Sequence, residues 1–213
     1  MQQLLAALGR AVQDSLPDRR QARYGDLDFD LDHSVDTTRA NVDFSLQFIA
    51  MLMGSPYFAS EPWLFEEMMR TLPIDFREFT FVDLGSGKGR ALLMASSYPF
   101  QNIVGVEFVP DLNRIAQQNI SKHLGEHRQR VVCLELDARD FTFPAGPLVV
   151  YLFNPFPELV FVAVLENLAH SLLESPRSVY VAYRSPEFEP LLAGCKWLEK
   201  IAGSEQWVIY GTK

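Results

Sequence analysis

The hydrophobic positions of the chain alternate between short runs that are apolar throughout and longer segments with apolar residues every three or four positions. Runs that are apolar on both faces are typical of strands buried in a parallel sheet. Five such runs lie at 79–84, 102–107, 130–136, 148–153 and 177–183. Helical spacing between them predicts helices at 88–95, 110–124, 159–173 and 187–194. Two further segments, 196–201 and 206–210, are close enough for an antiparallel hairpin.

The residues before the first apolar run are predicted to be mostly helical. Helical spacing predicts helices at 1–16, 37–53 and 60–72. Ser60 is a suitable cap for the third of them. Segment 19–36 alternates Asp with Leu and Phe, and we expect a solvated acidic loop there rather than a strand. We therefore divide the chain into an N-terminal helical extension, 1–73, and a second domain, 74–213.

Composition and charge narrow the classes of partner. The chain has 213 residues and is 48% hydrophobic, which is enough for one sizeable core. Its net charge of −8 argues against a broad electrostatic grip on nucleic acid or on an anionic membrane. No window approaches the roughly 20 apolar residues that a membrane span needs. The two cysteines, Cys133 and Cys195, are most simply reduced thiols, which favours a cytoplasmic protein.

The strongest candidate for a ligand site links the first apolar run to the helix after it. Its sequence is Asp83-Leu84-Gly85-Ser86-Gly87-Lys88-Gly89-Arg90. Glycines between a strand and a helix N-terminus remove the β-carbons that would keep a ligand from the backbone. Asp83, at the end of the strand, can accept hydrogen bonds from amides of the turn or from a cationic group of a ligand.

The spacing of these glycines separates the possible ligand classes. A phosphate-binding loop needs a glycine where the chain has Val82, and a Ser or Thr where it has Gly89. A dinucleotide fingerprint needs a glycine where Arg90 stands. The remaining pattern, D-x-G-x-G-x-G, resembles the first motif of the class I S-adenosylmethionine (SAM) methyltransferases. The resemblance implies that SAM is the cofactor and that its methionine end is held by Asp83, Gly85, Ser86, Gly87 and Gly89.

Acidic residues at the ends of the next two runs extend this candidate site. Glu107 lies one strand–helix–strand step after Asp83, where a carboxylate can take both hydroxyls of a ribose. Asp137, just past the third run, is placed to accept the adenine amino group, while the backbone amide of Ala138 serves a ring nitrogen. Asp140 remains a competitor for the role of Asp137, because such turns vary in register by a few residues.

The most hydrophobic run, 148–153, ends in a turn stiffened by two prolines. The sequence Asn154-Pro155-Phe156-Pro157 fixes where the Asn154 side chain and its neighbouring carbonyls point. Methyl transfer is an in-line displacement, and the protein must hold the nucleophile about 3–3.5 Å from the methyl carbon. Asn154 can accept a hydrogen bond from an incoming amine, so we assign Asn154 and Phe156 to the acceptor side. The alternative is a strand-end turn that proline merely orders.

Other residues outside these turns are weaker candidates. Tyr57 and Tyr24 are candidates for a lid over the methyl group, although ordinary packing explains them equally well. His123 and His127 are four residues apart on a predicted helix and have no third ligand nearby, so we expect no metal site.

Several segments together resemble one family. Besides the glycine motif, they are Ile103–Glu107, Asp137-Ala138 and Tyr151–Phe156. Together they are similar to small bacterial class I SAM-dependent methyltransferases of undefined substrate, and the similarity covers 74–213 well. It implies an α/β, doubly wound sheet of six parallel strands and one antiparallel strand, with SAM across the carboxyl ends of the first strands. Residues 1–73 are then the obvious cover for the mouth of the cofactor cleft.

The turn at Asn154 also resembles the (Asp/Asn)-Pro-Pro-(Tyr/Phe) turn of methyltransferases that act on amino groups of DNA, RNA and protein. Phe156 stands where that turn has its second proline, which argues against a flipped nucleobase. We therefore expect a SAM-dependent methyltransferase acting on a nitrogen of a protein side chain or a small amine. Positioning suffices for this reaction, so no metal is required. A non-catalytic SAM-binding module and an aminopropyl transferase on the same fold remain as alternatives.

Overall fold

The structure is a computed structural model that describes residues 27–37 and 59–213. The helix expected at 1–16 lies outside the described residues, as does all but the first residue of the one expected at 37–53. The two candidate lid residues, Tyr24 and Tyr57, also lie outside the described residues.

A seven-stranded sheet forms the centre of the described part. Its strands are β1 (Thr80–Leu84), β2 (Asn102–Glu107), β3 (Val131–Glu135), β4 (Leu148–Phe153), β5 (Val179–Arg184), β6 (Leu198–Gly203) and β7 (Trp207–Thr212). They lie in the order β3-β2-β1-β4-β5-β7-β6. Strand β7 is antiparallel to both neighbours, and the other pairs are parallel. The expected sheet of six parallel strands and one antiparallel strand is confirmed.

The described helices connect these strands and lie on both faces of the sheet. They are α1 (Leu27–His33), α2 (Pro62–Thr71), α3 (Arg90–Ala95), α4 (Pro110–Leu124), α5 (Glu158–Glu174) and α6 (Glu189–Gly194). Short 3-10 helices lie at Phe76–Glu78, Gly125–Arg130 and Ala138–Asp140. None of the helices within the described ranges is both long enough and apolar enough to cross a membrane.

Helix α1 corrects the prediction of a solvated loop in segment 19–36. The aspartates of this segment were expected to be solvated, but Asp30 accepts a hydrogen bond from the Thr37 amide at 2.9 Å and lies 3.3 Å from the Arg90 guanidinium. Phe29 packs beneath the same guanidinium, 4.9 Å from its central carbon to the ring centroid. Arg90 is 60 residues away from Asp30 in the chain, so no local pattern could have identified it as the partner.

Two helix boundaries also differ from the predictions. Helix α3 was expected to open at Lys88 but begins at Arg90, because Gly89 has a φ of 84° and leaves the helical conformation. Ser60 was expected to cap α2, yet the cap residue is Glu61 and its side chain forms no capping bond. Ser60 instead pairs with the sheet, as described below.

Buried apolar side chains pack on both faces of the sheet. On one face, Phe65 of α2 contacts Phe81 and Tyr151, with ring centroids 5.8 and 5.4 Å apart. On the other face, Phe161 of α5 stacks on Tyr183 at 5.3 Å. Helix α2 therefore shares a core with the sheet, although it falls within the predicted extension 1–73. The division of the chain at residue 73 stays a prediction.

The strand order determines where a ligand can bind. From β1 the chain runs outward to β2 and β3 on one side, and it then returns to place β4 on the other side of β1. A crevice opens at the carboxyl edge where the direction of winding reverses. The turns after β1, β2, β3 and β4 all meet this edge, because these four strands are parallel.

Candidate active site

A cleft lies at this edge of the sheet, between the turns that follow β1 and β4. Among the residues that line it are nine that the sequence predicted, namely Asp83, Gly85, Ser86, Gly87, Glu107, Asp137, Ala138, Asn154 and Phe156. They come from four separate turns. Of the predicted residues in the described part, Gly89 does not line the cleft.

The glycine turn after β1 has a left-handed backbone at alternate positions. The φ angles of Gly85, Gly87 and Gly89 are 81°, 53° and 84°. A β-carbon on Gly85 would lie 2.2 Å from Cβ of Pro155, and one on Gly89 would lie 3.1 Å from Cβ of Ala116 in α4. The bare backbone at Gly85 and Gly89 thus makes room for protein atoms, and Gly85 also lines the cleft. The approach of a ligand to these glycines stays a prediction.

Glu107 ties the glycine turn to the end of β2. Its Oε2 accepts a hydrogen bond from the Gly87 amide and its Oε1 accepts one from the Val109 amide, both at 2.8 Å. Burial raises the pKa of this carboxyl, while the backbone hydrogen bonds act in the opposite direction. A carboxylate offers about four acceptor positions, so these bonds leave capacity for a ligand hydroxyl.

Asp83 is a buried carboxylate that lacks a charge partner in the described part of the chain. It is 3% exposed, and no hydrogen bond or ion pair to it is formed by residues 27–37 or 59–213. Burial, followed by the nearby charge of Glu107, raises the pKa of Asp83 to about 8. The Lys88 ammonium contacts Asp36 at 2.8 Å, and Arg90 pairs with Asp30. The site is therefore suited to a cationic ligand group and unsuited to a phosphate.

The Ser86 hydroxyl is a second unsatisfied group beside Asp83. It is buried, and within the described ranges it has no hydrogen-bond partner. Native buried polar groups nearly always find a partner, which can be a ligand atom or a water. Ser86 and Asp83 together make this part of the cleft a polar site that protein atoms leave incomplete.

The turn after β3 places Asp137 and Ala138 at the cleft. Asp137 accepts hydrogen bonds from the Arg139 amide at 2.9 Å and from its guanidinium at 2.7 Å, and these bonds lower the pKa of the Asp137 carboxyl. A ligand amino group would have to share this carboxylate with Arg139. Ala138 is the first residue of the short helix, where a backbone amide has no partner within the helix. Asp140, the competing candidate, is exposed and is not part of the lining.

Asn154 is held at both ends of its side-chain amide. The Tyr183 hydroxyl donates to Oδ1 at 2.6 Å, and Nδ2 donates to Oε2 of Glu187 at 2.8 Å. Its φ of 46° is in the left-handed region, which asparagine tolerates better than most residues. Sequence reasoning missed Tyr183 and Glu187. The available signal was the position of Tyr183 near the end of β5, the strand that pairs with β4.

A further polar contact in the cleft also escaped the sequence argument. The Tyr151 hydroxyl donates to Oγ of Ser60 at 3.0 Å, and both residues are buried and line the cleft. Tyr151 pairs with Asp83 across β1 and β4. The hydrogen bond between Tyr151 and Ser60 links a residue just before α2 to strand β4 within the cleft.

Comparisons with known proteins identify the fold. No family model and no curated protein matches the chain. Among solved structures it is similar to the glycopeptide N-methyltransferase MtfA, with a TM-score of 0.56 and 10% identity over 74% of this chain and 91% of that one. It is also similar to the precorrin-6y C5,15-methyltransferase from Geobacter metallireducens GS-15, with a TM-score of 0.53 and 14% identity over 73% and 90% of the two chains.

A third similar structure is the 23S rRNA methyltransferase ErmE, with a TM-score of 0.52 and 11% identity over 74% of this chain and 69% of that one. The names of the three proteins point to different substrates. At such low identities the likeness concerns the fold and the strand order, and it does not extend to the substrate. The chain has the seven-stranded fold of the class I SAM-dependent methyltransferases.

Proposed function

We propose that this protein is a SAM-dependent methyltransferase that acts on a nitrogen of a protein side chain or a small amine. One observation carries the proposal: a buried carboxylate without a described charge partner, Asp83, shares a cleft with the amide-bound carboxylate Glu107. SAM carries a cationic α-ammonium group at its methionine end and a ribose diol, and these two groups match the two carboxylates.

The remaining cofactor contacts follow from the other residues that line the cleft. Phe108, which is 55% exposed, offers an aromatic face on which the adenine can stack. Ala138 offers a backbone amide to the ring, and Asp137 accepts from the adenine amino group alongside Arg139. The Ser86 hydroxyl, which has no described partner, is available to the methionine end.

Catalysis in this proposal is mainly positioning. SAM, when bound, would supply a methyl group attached to a positively charged sulfur. An attacking nitrogen would take the methyl group in line with the carbon–sulfur bond, and the sulfur would leave with the electrons of that bond. Asn154, fixed by Tyr183 and Glu187, orients that nitrogen, and Phe156 closes the side of the cleft next to it. Correct orientation alone can supply about 7–11 kcal/mol of the barrier reduction. We further propose that residues before 74 cover the cleft, since Ala59 and Ser60 already line it.

The proposed class of acceptor rests on the charge of the chain and on the Asn154 turn. The net charge of −8 argues against nucleic acid as the methyl acceptor. The comparisons do not support excluding a nucleic-acid acceptor, because a 23S rRNA methyltransferase shares the fold. A protein or small amine remains our proposal because the Asn154 turn is suited to a hydrogen-bond donor. The cytoplasmic location likewise stays a prediction from the sequence.

Isothermal titration calorimetry with S-adenosylhomocysteine (SAH) tests the cofactor assignment. Glu107→Ala should weaken SAH binding by about 1–3 kcal/mol, because the ribose loses its acceptor. Glu135→Ala is the matched control, since Glu135 is the exposed neighbour of Glu107 in the register of β2 and β3. This control should bind SAH as the unmodified protein does.

A second ligand separates recognition of the ribose from a general loosening of the turn. The 2′-deoxy analogue of SAH should bind the unmodified protein more weakly than SAH does, and Glu107→Ala should remove most of that difference. The absence of binding heat with both SAM and SAH would reject the proposed function.

A further inference from the structure

We infer that the acceptor end of the cleft selects a nitrogen that carries hydrogen, and that Glu187 is the positioning residue that sets this selectivity through Asn154. The inference rests on the proposed function and adds the chemistry of the acceptor atom to it. It depends on three features of the described residues: the orientation of the Asn154 amide, the rigidity of the turn that holds Glu187, and the balance of donors and acceptors.

The charge of Glu187 fixes the orientation of the Asn154 amide. A carboxylate can only accept hydrogen bonds, so the nitrogen of the amide must be the end that faces Glu187, at 2.8 Å. The opposite orientation would set Oδ1 against a negatively charged oxygen. The carbonyl oxygen is therefore directed to the side of Tyr183, whose hydroxyl donates to it at 2.6 Å. Burial raises the pKa of Tyr183 to about 12, which keeps this donor protonated.

The turn that holds Glu187 is itself anchored to the sheet. The Glu187 amide donates to the Ser185 carbonyl at 2.8 Å, and the Ser185 amide donates to the Gln206 carbonyl at 2.8 Å. Ser185 has a φ of 49°, a left-handed conformation that turns the chain sharply after β5. Glu187 therefore reaches Asn154 from a turn with its own hydrogen bonds, although its side chain is exposed.

Most side-chain hydrogen-bond donors of Asn154, Tyr183 and Glu187 are used in the bonds among these three residues. The single Tyr183 proton goes to Asn154, and one of the two Nδ2 protons goes to Glu187. A substrate atom beside Asn154 thus meets the second lone pair of Oδ1 and only one remaining amide proton, with the negative charge of Glu187 on the other end of the amide. A primary or secondary amine can donate to Oδ1, as a hydroxyl group can, whereas a nitrogen without hydrogen cannot. A carboxylate or phenolate oxygen, which only accepts, would meet repulsion from Glu187.

A SAM analogue that carries its own amine is a suitable probe because it requires no knowledge of the acceptor. Sinefungin has a carbon bearing an amine where SAM has the methylated sulfur, whereas SAH has no hydrogen-bonding group there. We expect the unmodified protein to bind sinefungin more tightly than SAH. Glu187→Gln and Tyr183→Phe should each weaken sinefungin binding roughly 3- to 10-fold and leave SAH binding unchanged.

The matched control is Glu189→Gln, the same substitution two residues further along the chain. Glu189 bonds Lys200 and Tyr210 and has no described contact with Asn154, so this variant should bind both ligands normally. Equal losses for SAH and sinefungin in Glu187→Gln, or no loss for sinefungin, would overturn the inference. Failure of the unmodified protein to prefer sinefungin would overturn it as well. Failure to bind SAH at all would instead refute the proposed function.

Discussion

At the scale of single residues, Asp83 links stability to ligand binding. Its pKa is raised by burial from an ordinary value of 3.8 to about 8, and the described residues offer it no cation. The folded protein therefore holds a proton on Asp83 that the unfolded chain releases near pH 4. Stability associated with this group is fully present below about pH 4 and is lost as the pH rises through about 8.

Asp83→Asn should stabilise the protein at high pH and weaken its binding of SAM. Asparagine keeps the shape of the side chain but has no charge to desolvate, and the rise of the Asp83 pKa from 3.8 to about 8 corresponds to a gain in the free energy of unfolding of roughly 4–6 kcal/mol at pH 9. At pH 3.5 the two proteins should differ little, because Asp83 is then protonated in the fold and largely protonated in the unfolded chain. Urea denaturation at both pH values measures the effect, and a gain of equal size at pH 3.5 would contradict it.

The sequence predicted the strand-end residues of the site but not the contacts between them. Asp83, Glu107 and Asn154 were predictable because each follows an apolar run that had to be a strand. The bonds from Asn154 to Tyr183 and Glu187 were not predictable, because they join residues 29 and 33 positions apart in the chain. Such contacts depend on how two neighbouring turns meet in space, which single-sequence patterns do not encode.

At the scale of elements, segment 27–37 forms hydrogen bonds and ion pairs with the residues of the glycine turn and of the helix that follows it. The Arg90 guanidinium donates to the Thr37 hydroxyl at 2.6 Å, and the Lys88 ammonium contacts Asp36 at 2.8 Å. The Asn119 side chain in α4 accepts a hydrogen bond from the Asp36 amide at 2.9 Å. It also donates hydrogen bonds to the carbonyls of Asp36 and Lys88, at 2.7 and 3.0 Å. The glycine turn is therefore held by contacts with residues that precede it by 50 positions or more.

Asp36→Asn should lower the affinity for SAH by about fivefold although Asp36 does not line the cleft. The substitution leaves the buried Lys88 ammonium without the charge of Asp36 and loosens the glycine turn, whose Gly87 amide donates to Glu107. Calorimetric titration with SAH measures the loss.

Asp75→Asn is the control for Asp36→Asn, because it removes an exposed capping carboxylate that bonds the Arg77 amide away from the cleft. Asparagine can still cap at position 75, so only Asp36→Asn should lose affinity for SAH. Unchanged SAH affinity in Asp36→Asn would show that the contacts between segment 27–37 and the glycine turn have no influence on SAH binding.

The positions of the buried strands were predictable from the sequence. The prediction failed for a helix whose charged residues are partly buried. Strands 102–107 and 148–153 have the bounds that their apolar runs predicted, since both faces of a central strand require apolar side chains. The terminal hairpin is confirmed with each strand displaced by a residue or two. Helix α1 was missed because its aspartates were treated as solvated, whereas Asp30 binds Thr37 and Arg90.

At the scale of the whole molecule, the strand order divides the cleft into two halves. The ends of β1 and β2 carry Asp83 and Glu107, and the turn after β3 carries Asp137; we assign these residues to the cofactor. The turn after β4 carries Asn154, which Glu187 of the turn after β5 bonds, and we assign this half to the acceptor. The halves meet where Gly85 packs against Pro155, so closely that a β-carbon on Gly85 would clash.

The central claim is that the turns at the carboxyl edge of one sheet bind SAM, and a crystal structure of the protein with SAH tests it most directly. The account predicts ribose hydroxyls within hydrogen-bond distance of Glu107, the adenine beside Phe108 and Ala138, and the sulfur facing Asn154. SAH bound elsewhere on the molecule, or bound in the cleft with its ribose away from Glu107, would contradict the account.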